Sequence, residues 1–122
     1  MKAFKFIVTG GLATLIHMAV AALSIEGGIR SYGIGNAFGF FVATSFALLL
    51  NTFWSFSDRL SLKLITKYWT VSLVGLSLSY LLGSMAQYLH LGYMVGIVAT
   101  VLIVPFITYR GHSRWTYKKN QS

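Results

Sequence analysis

Cysteine is absent from this 122-residue chain, proline occurs once, and acidic residues occur twice. Without cysteine there is no disulfide scaffold and no thiolate to hold a metal or attack a substrate. The two acids, Glu26 and Asp58, are expected in loops on opposite sides of a membrane, which leaves no carboxylate pair for general acid–base chemistry. Charge of either sign is scarce: 10% of residues are charged, against roughly 25% in an ordinary soluble domain. A chain this short exposes too much surface to stay soluble on so few charges, and its 56% hydrophobic content excludes a disordered tail. The three histidines, His17, His90 and His112, are scattered, so no metal site is expected. Gly10-Gly11 is followed by no Lys-Ser/Thr pair, which excludes a phosphate-binding nucleotide loop. The chain is therefore expected to be no enzyme and to carry no cofactor.

What is present is long runs without charge. None of Asp, Glu, Lys or Arg occurs in residues 6–25, 31–57 or 68–109. One helical crossing of a bilayer needs about 20 apolar residues. The first two runs each hold one crossing, and the third holds two, with a turn where Gln87, His90 and Gly92 interrupt it. The expected fold is an all-α integral membrane protein of four transmembrane helices, in one domain over residues 1–122. The helices are placed at about 6–25, 33–56, 68–87 and 92–110. Strict period-two alternation, the mark of a spanning barrel, is missing from these runs. Met1–Lys5 with the following apolar run and Ala19-Val20-Ala21 also has the layout of a secretory signal, but the run is long and contains His17, which favours a retained helix.

The net charge of +8 would suit nucleic acid, yet its distribution points to a membrane instead. Lys2 and Lys5 precede helix 1. Arg59, Lys63 and Lys67 outweigh Asp58 in the loop after helix 2, and Arg110, Arg114, Lys118 and Lys119 follow helix 4. On the other side Glu26 and Arg30 cancel. By the positive-inside rule both termini are expected in the cytoplasm.

The chain also repeats itself. Shifted by 61 positions, the segment from Asn51 to Phe56 aligns with His112 to Tyr117, pairing Trp54 with Trp115. The same shift pairs Tyr32 with Tyr93 and Gly35 with Gly96, and a shift of 62 pairs Lys5-Phe6 with Lys67-Tyr68. Two helical hairpins in parallel orientation are expected, related by a pseudo-twofold axis along the membrane normal. Small residues predict close helix packing: Gly35, Gly39, Ala43 and Ala47 in helix 2, Gly75, Ser79 and Gly83 in helix 3, and Gly10, Gly11, Ala13 and Thr14 in helix 1.

These residues carry a resemblance. The opening Lys5-Phe6-Ile7-Val8-Thr9-Gly10-Gly11-Leu12-Ala13-Thr14-Leu15-Ile16-His17 and the closing Leu50-Asn51-Thr52-Phe53-Trp54-Ser55-Phe56 of helix 2 are similar to the GtrA-like family of bacterial and phage membrane proteins. Lys67-Tyr68 and the segment from Arg110 to Tyr117 extend the match over the whole chain. The resemblance implies translocation of a polyprenyl-phosphate-linked sugar, often undecaprenyl-phosphate glucose, across the bacterial cytoplasmic membrane. The sugar then decorates O-antigen or another surface polysaccharide, and a membrane glycosyltransferase is the usual partner. The sequence departs from the family pattern at His112, where many relatives carry Asn.

Such a substrate needs cations for its phosphate and hydrogen-bonding groups for its sugar. Lys67 and Arg110, with Arg114, stand at the cytoplasmic boundary and suit phosphate, Arg through bidentate contacts. Basic residues there also set topology and attract anionic lipid, which is the preferred role of Lys2, Lys118 and Lys119. Asn51 is either a clasp between helices or a contact to sugar hydroxyls, because a buried amide is costly unpaired. Trp54 and Trp115 suit the interfacial aromatic belt, and Trp54 can alternatively stack on a sugar. His17, in the middle of helix 1, is either an interhelical partner or a donor to substrate. Ser72, Ser77, Ser79 and Thr100 could line a path, although Ser and Thr often bond their own helix. Two alternatives remain: a non-transporting membrane partner of the glycosyltransferase, and a small multidrug-type exporter, which would need an acid inside the membrane. A homo-oligomer is a further possibility, because one bundle of four short helices shelters only a small head group.

Overall fold

The computed structural model describes residues 2–55 and 60–116, and these form an all-α bundle. Its helices are α1 (Lys2–Glu26), α2 (Tyr32–Leu50), α3 (Leu62–Tyr88) and α4 (Tyr93–Gly111). Two π-helical turns, Asn51–Ser55 and His112–Thr116, continue α2 and α4. The segments Ile7–Glu26, Tyr32–Trp54, Leu62–Tyr88 and Tyr93–Thr116 are each long and apolar enough to cross a membrane. Phe56, Asp58, Arg59, Tyr117, Lys118 and Lys119 lie outside the described residues.

Local chemistry sets the helix ends. Gly28 takes a φ of 130°, open to glycine at little cost, and lets Ile29 N–H reach back to the Ser24 carbonyl at 3.0 Å. The same closure ends α3, where His90 takes φ 60° and Leu91 N–H bonds the Ala86 carbonyl at 2.8 Å. Ser31 and Ser61 begin α2 and α3 by accepting from the backbone N–H of Ile34 and Leu64, both at 3.1 Å. The Ser61 cap moves the start of helix 3 to Leu62, six residues before the expected Tyr68. Lys63 and Lys67, expected in a loop, lie in the first two turns of α3. A lysine stem can follow a helix surface while its ammonium reaches water, so these charges did not require a loop.

The repeat is visible in the backbone. α2 and α4 have 19 residues each and begin 61 positions apart, as do the two π-helical turns. The helix-ending positions Gly28 and His90 correspond under the shift of 62. Lys5 lies 5.6 Å from the centre of the Trp54 ring, and Lys67 lies 5.6 Å from that of Trp115. Tyr32 and Tyr93 meet edge to face at the opposite end. The α1–α2 and α3–α4 hairpins therefore run in parallel, with Lys5, Lys63, Lys67, Arg110 and Arg114 at one end and Glu26 and Arg30 at the other.

The bundle buries polar side chains among apolar ones such as Phe40, Ile97 and Val104, and its outside is apolar. Ile7, Leu23 and Phe106 are among many exposed apolar side chains, whereas His17, Asn36, Ser72, Ser79 and Thr100 are buried. Hydrophobic burial cannot hold helices together in lipid, so close contact and interhelical hydrogen bonds must do so. Near the Glu26 end, glycines supply the contact. A Cβ on Gly83 would lie 2.6 Å from the Tyr32 carbonyl, and one on Gly96 would lie 3.0 Å from the Gly83 Cα. Gly35 and Gly39 press on Ile25 and on the His17 carbonyl of α1. The expectation of close packing fails at Gly10 and Gly11, where a Cβ would meet nothing within 4 Å. No helix fills the space beside them.

Candidate functional site

Between the tight end and the basic end the four helices part around a cavity of about 100 Å³. α1 lines it with Thr9, Gly10, Ala13, Thr14 and His17, and α4 does so from Thr100 to His112. Phe40, Ala43, Thr44, Ala47 and Asn51 of α2 and its π turn, with Tyr68 and Ser72 of α3, complete the wall.

Beyond its deep end one amide, outside the cavity wall, bonds the lining residues His17 and Thr100. Asn36 donates both hydrogens, to the Ser79 carbonyl at 2.7 Å and to Thr100 Oγ1 at 2.8 Å. Its Oδ1 lies 2.7 Å from His17 Nε2. Ser79 O can only accept, so the amide cannot be turned around, and His17 Nε2 must donate to Oδ1. In a neutral ring this leaves His17 Nδ1 as an acceptor. Thr100 passes its own hydrogen to the Gly96 carbonyl at 2.8 Å. A single side chain thus ties α2 to the other three helices, and Asn36 is 1% exposed.

Nearer the basic end, Tyr68 stacks on His112, with ring centroids 4.1 Å apart and planes 11° from parallel. The Tyr68 hydroxyl donates to the Thr44 carbonyl at 3.2 Å, and His112 Nδ1 lies 3.1 Å from Thr116 Oγ1. Pro105 lies inside α4. Having no N–H, it leaves the Val101 carbonyl without its usual helical donor, and both residues line the cavity.

Two polar atoms in this wall are buried with no hydrogen-bond partner, Asn51 Oδ1 and Ser72 Oγ. Their residues are 3% and 0% exposed. An unpaired buried acceptor costs about 1–3 kcal/mol, and lipid offers no water to repair it. Ser72 does not spend its hydroxyl on its own helix, as Thr70 does at the Thr66 carbonyl.

The residues singled out from sequence fall into two groups. Asn51 and His17 line the cavity. Lys67, half-buried, lies over Trp115, and Trp54 lies under Lys5. Arg110 and Arg114 are exposed at the same end and, like Lys67 and Trp54, stand outside the cavity wall. Asn36 was passed over in the sequence, although it and Asn51 are the only amide side chains in residues 31–57. An amide inside an uncharged run demands a partner, and that signal was available. Among the described residues no cluster of His, Asp and Glu could hold a metal.

A family model described as GtrA/DPMS, transmembrane domain, matches residues 5–118 of the chain. No curated protein and no solved structure gives a match.

Proposed function

The chain belongs to the GtrA/DPMS transmembrane-domain family, as a multi-pass membrane protein of the GtrA family that handles sugars on carrier lipids, and from that premise we propose that it moves a polyprenyl-phosphate-linked sugar across the bacterial cytoplasmic membrane. The sugar is glucose or a similar hexose on undecaprenyl phosphate, destined for a surface polysaccharide. The observation that carries this reading is the pair of unpartnered buried atoms, Asn51 Oδ1 and Ser72 Oγ, in a cavity at the basic end. A hydroxyl-rich head group supplies donors to the first and both donors and acceptors to the second.

The work divides by chemistry. Lys67, Arg110 and Arg114 meet the phosphate while still hydrated, which avoids taking an unpaired anion into hydrocarbon. Asn51 takes over hydroxyl contacts just inside, with His17 Nδ1 at the deep end. Trp54 and its counterpart Trp115 hold lysines near the entrance through cation–π contact. With no nucleotide loop in the sequence, movement is downhill and reversible, driven by synthesis of the lipid-linked sugar on one face and its consumption on the other. A membrane glycosyltransferase is the source of the substrate.

The test is reconstitution with a labelled polyprenyl-phosphate hexose, read as loss of label to an impermeant reagent that modifies only the outer leaflet. Protein-dependent equilibration between leaflets supports transport. A protein that binds the glycosyltransferase but leaves the label on its original leaflet is a non-transporting partner instead.

A further inference from the structure

The pseudo-twofold axis relates the seam between α1 and α4 to the seam between α3 and α2. The two differ. α2 and α3 close on each other through glycine: a Cβ on Gly33 would lie 2.8 Å from the Tyr80 carbonyl, and Gly75 meets Phe40. α1 and α4 pack least of the four neighbouring pairs. The cavity wall reaches this loose seam from both sides, with Gly10 and Ala13 on α1 and Val101 and Pro105 on α4, none of them buried. At Gly10 an added Cβ would meet nothing within 4 Å. The seam edge is mostly apolar, with the half-buried Thr14 and Thr108 beside it, and the wall behind it carries the unpartnered Asn51 Oδ1 and Ser72 Oγ.

We propose that the α1–α4 seam is a lateral portal that holds the polyprenyl chain of the lipid-linked sugar while its head group lies in the cavity. This rests on the transport reading above. A head group that enters from an end would have to drag its chain between closely packed helices. A side opening leaves the chain in hydrocarbon, where each buried methylene keeps its favourable environment. A second copy of this bundle laid over the seam would cover it with an apolar helix face and leave Asn51 and Ser72 unpaired. The lipid-linked sugar answers both the apolar edge and the polar depth.

Gly10 and Gly11 provide a matched test, because neither Cβ would meet a neighbour, yet Gly10 lines the cavity and Gly11 does not. A photoreactive benzophenone side chain is introduced at either position. The protein is reconstituted in phosphatidylglycerol–phosphatidylethanolamine vesicles with radiolabelled polyprenyl-phosphate hexose. Position 10 is expected to capture the radiolabelled lipid several-fold better than position 11. Equal capture at both, capture dominated by phospholipid, or a crosslinked dimer through position 10 each overturns the portal. In the transport assay Gly10→Phe is expected to slow equilibration about tenfold while Gly11→Phe stays close to the parent. Capture at position 10 with no transport by the parent protein retains the portal and defeats the transport reading. Transport without capture at position 10 does the reverse.

Discussion

Asn51 and His112 hold the same place in the two halves of the chain, each the first residue of a π-helical turn and each lining the same cavity. Their environments differ. His112 is stacked on Tyr68 and bonded to Thr116, whereas Asn51 Oδ1 has no partner. π-Helical turns widen a helix locally and recur at functional sites. Here the repeat has placed one at the basic end of each hairpin, and one half has kept a free acceptor there.

Asn51→Ala is expected not to lower thermal stability in mild detergent, because no hydrogen bond of Oδ1 is lost and the cost of an unpaired buried acceptor is removed. Transport is expected to fall about tenfold or more. A loss of folded protein in proportion to transport would instead make Asn51 a helix clasp.

Asn36→Leu should behave in the opposite way. It removes three interhelical hydrogen bonds, worth about 2 kcal/mol at the average measured for such bonds in a membrane protein. Unfolding in a graded denaturing detergent should shift accordingly. An unchanged unfolding curve would show that the closed end is held by glycine packing alone.

The four crossings and the parallel repeat were legible because both are written in one-dimensional features: runs without charge, and residue pairs at a fixed shift. The cavity was not. Asn36 and Thr100 are 64 positions apart and meet only because Gly33, Gly83 and Gly96 allow α2, α3 and α4 to approach. The glycines of α1 misled for the same reason. Gly10 and Gly39 look alike in sequence, but only Gly39 has a neighbour, the His17 carbonyl. Ser72 reads as one more serine bonding its own helix, and its free hydroxyl becomes visible only with the surrounding side chains in place.

Arg110 lies outside the cavity wall, and the proposed function assigns it the approach of the phosphate. Arg110→Ala is expected to abolish surface glycosylation with protein level unchanged. Arg110→Lys is expected to restore it in part, since charge survives and the bidentate geometry does not. Equal activity of all three proteins would remove Arg110 from the account.

Orientation can be read with single cysteines, as the chain has none of its own. Tyr88 and Leu62 are 82% and 81% exposed at opposite ends of α3. In intact cells Tyr88→Cys is expected to react with an impermeant maleimide, and Leu62→Cys only after permeabilisation. The reverse pattern would place the basic end and its cavity outside.

The proposed role of the cavity is to carry a sugar head group between leaflets. The direct measurement is the rate at which a labelled polyprenyl-phosphate hexose equilibrates across proteoliposomes containing the parent protein or Asn51→Ala. Equilibration is expected with the parent, well above protein-free vesicles, and its loss in a variant that is equally folded. Parent protein that leaves the label on its original leaflet, or a folded Asn51→Ala that moves it at the parent's rate, would contradict the account.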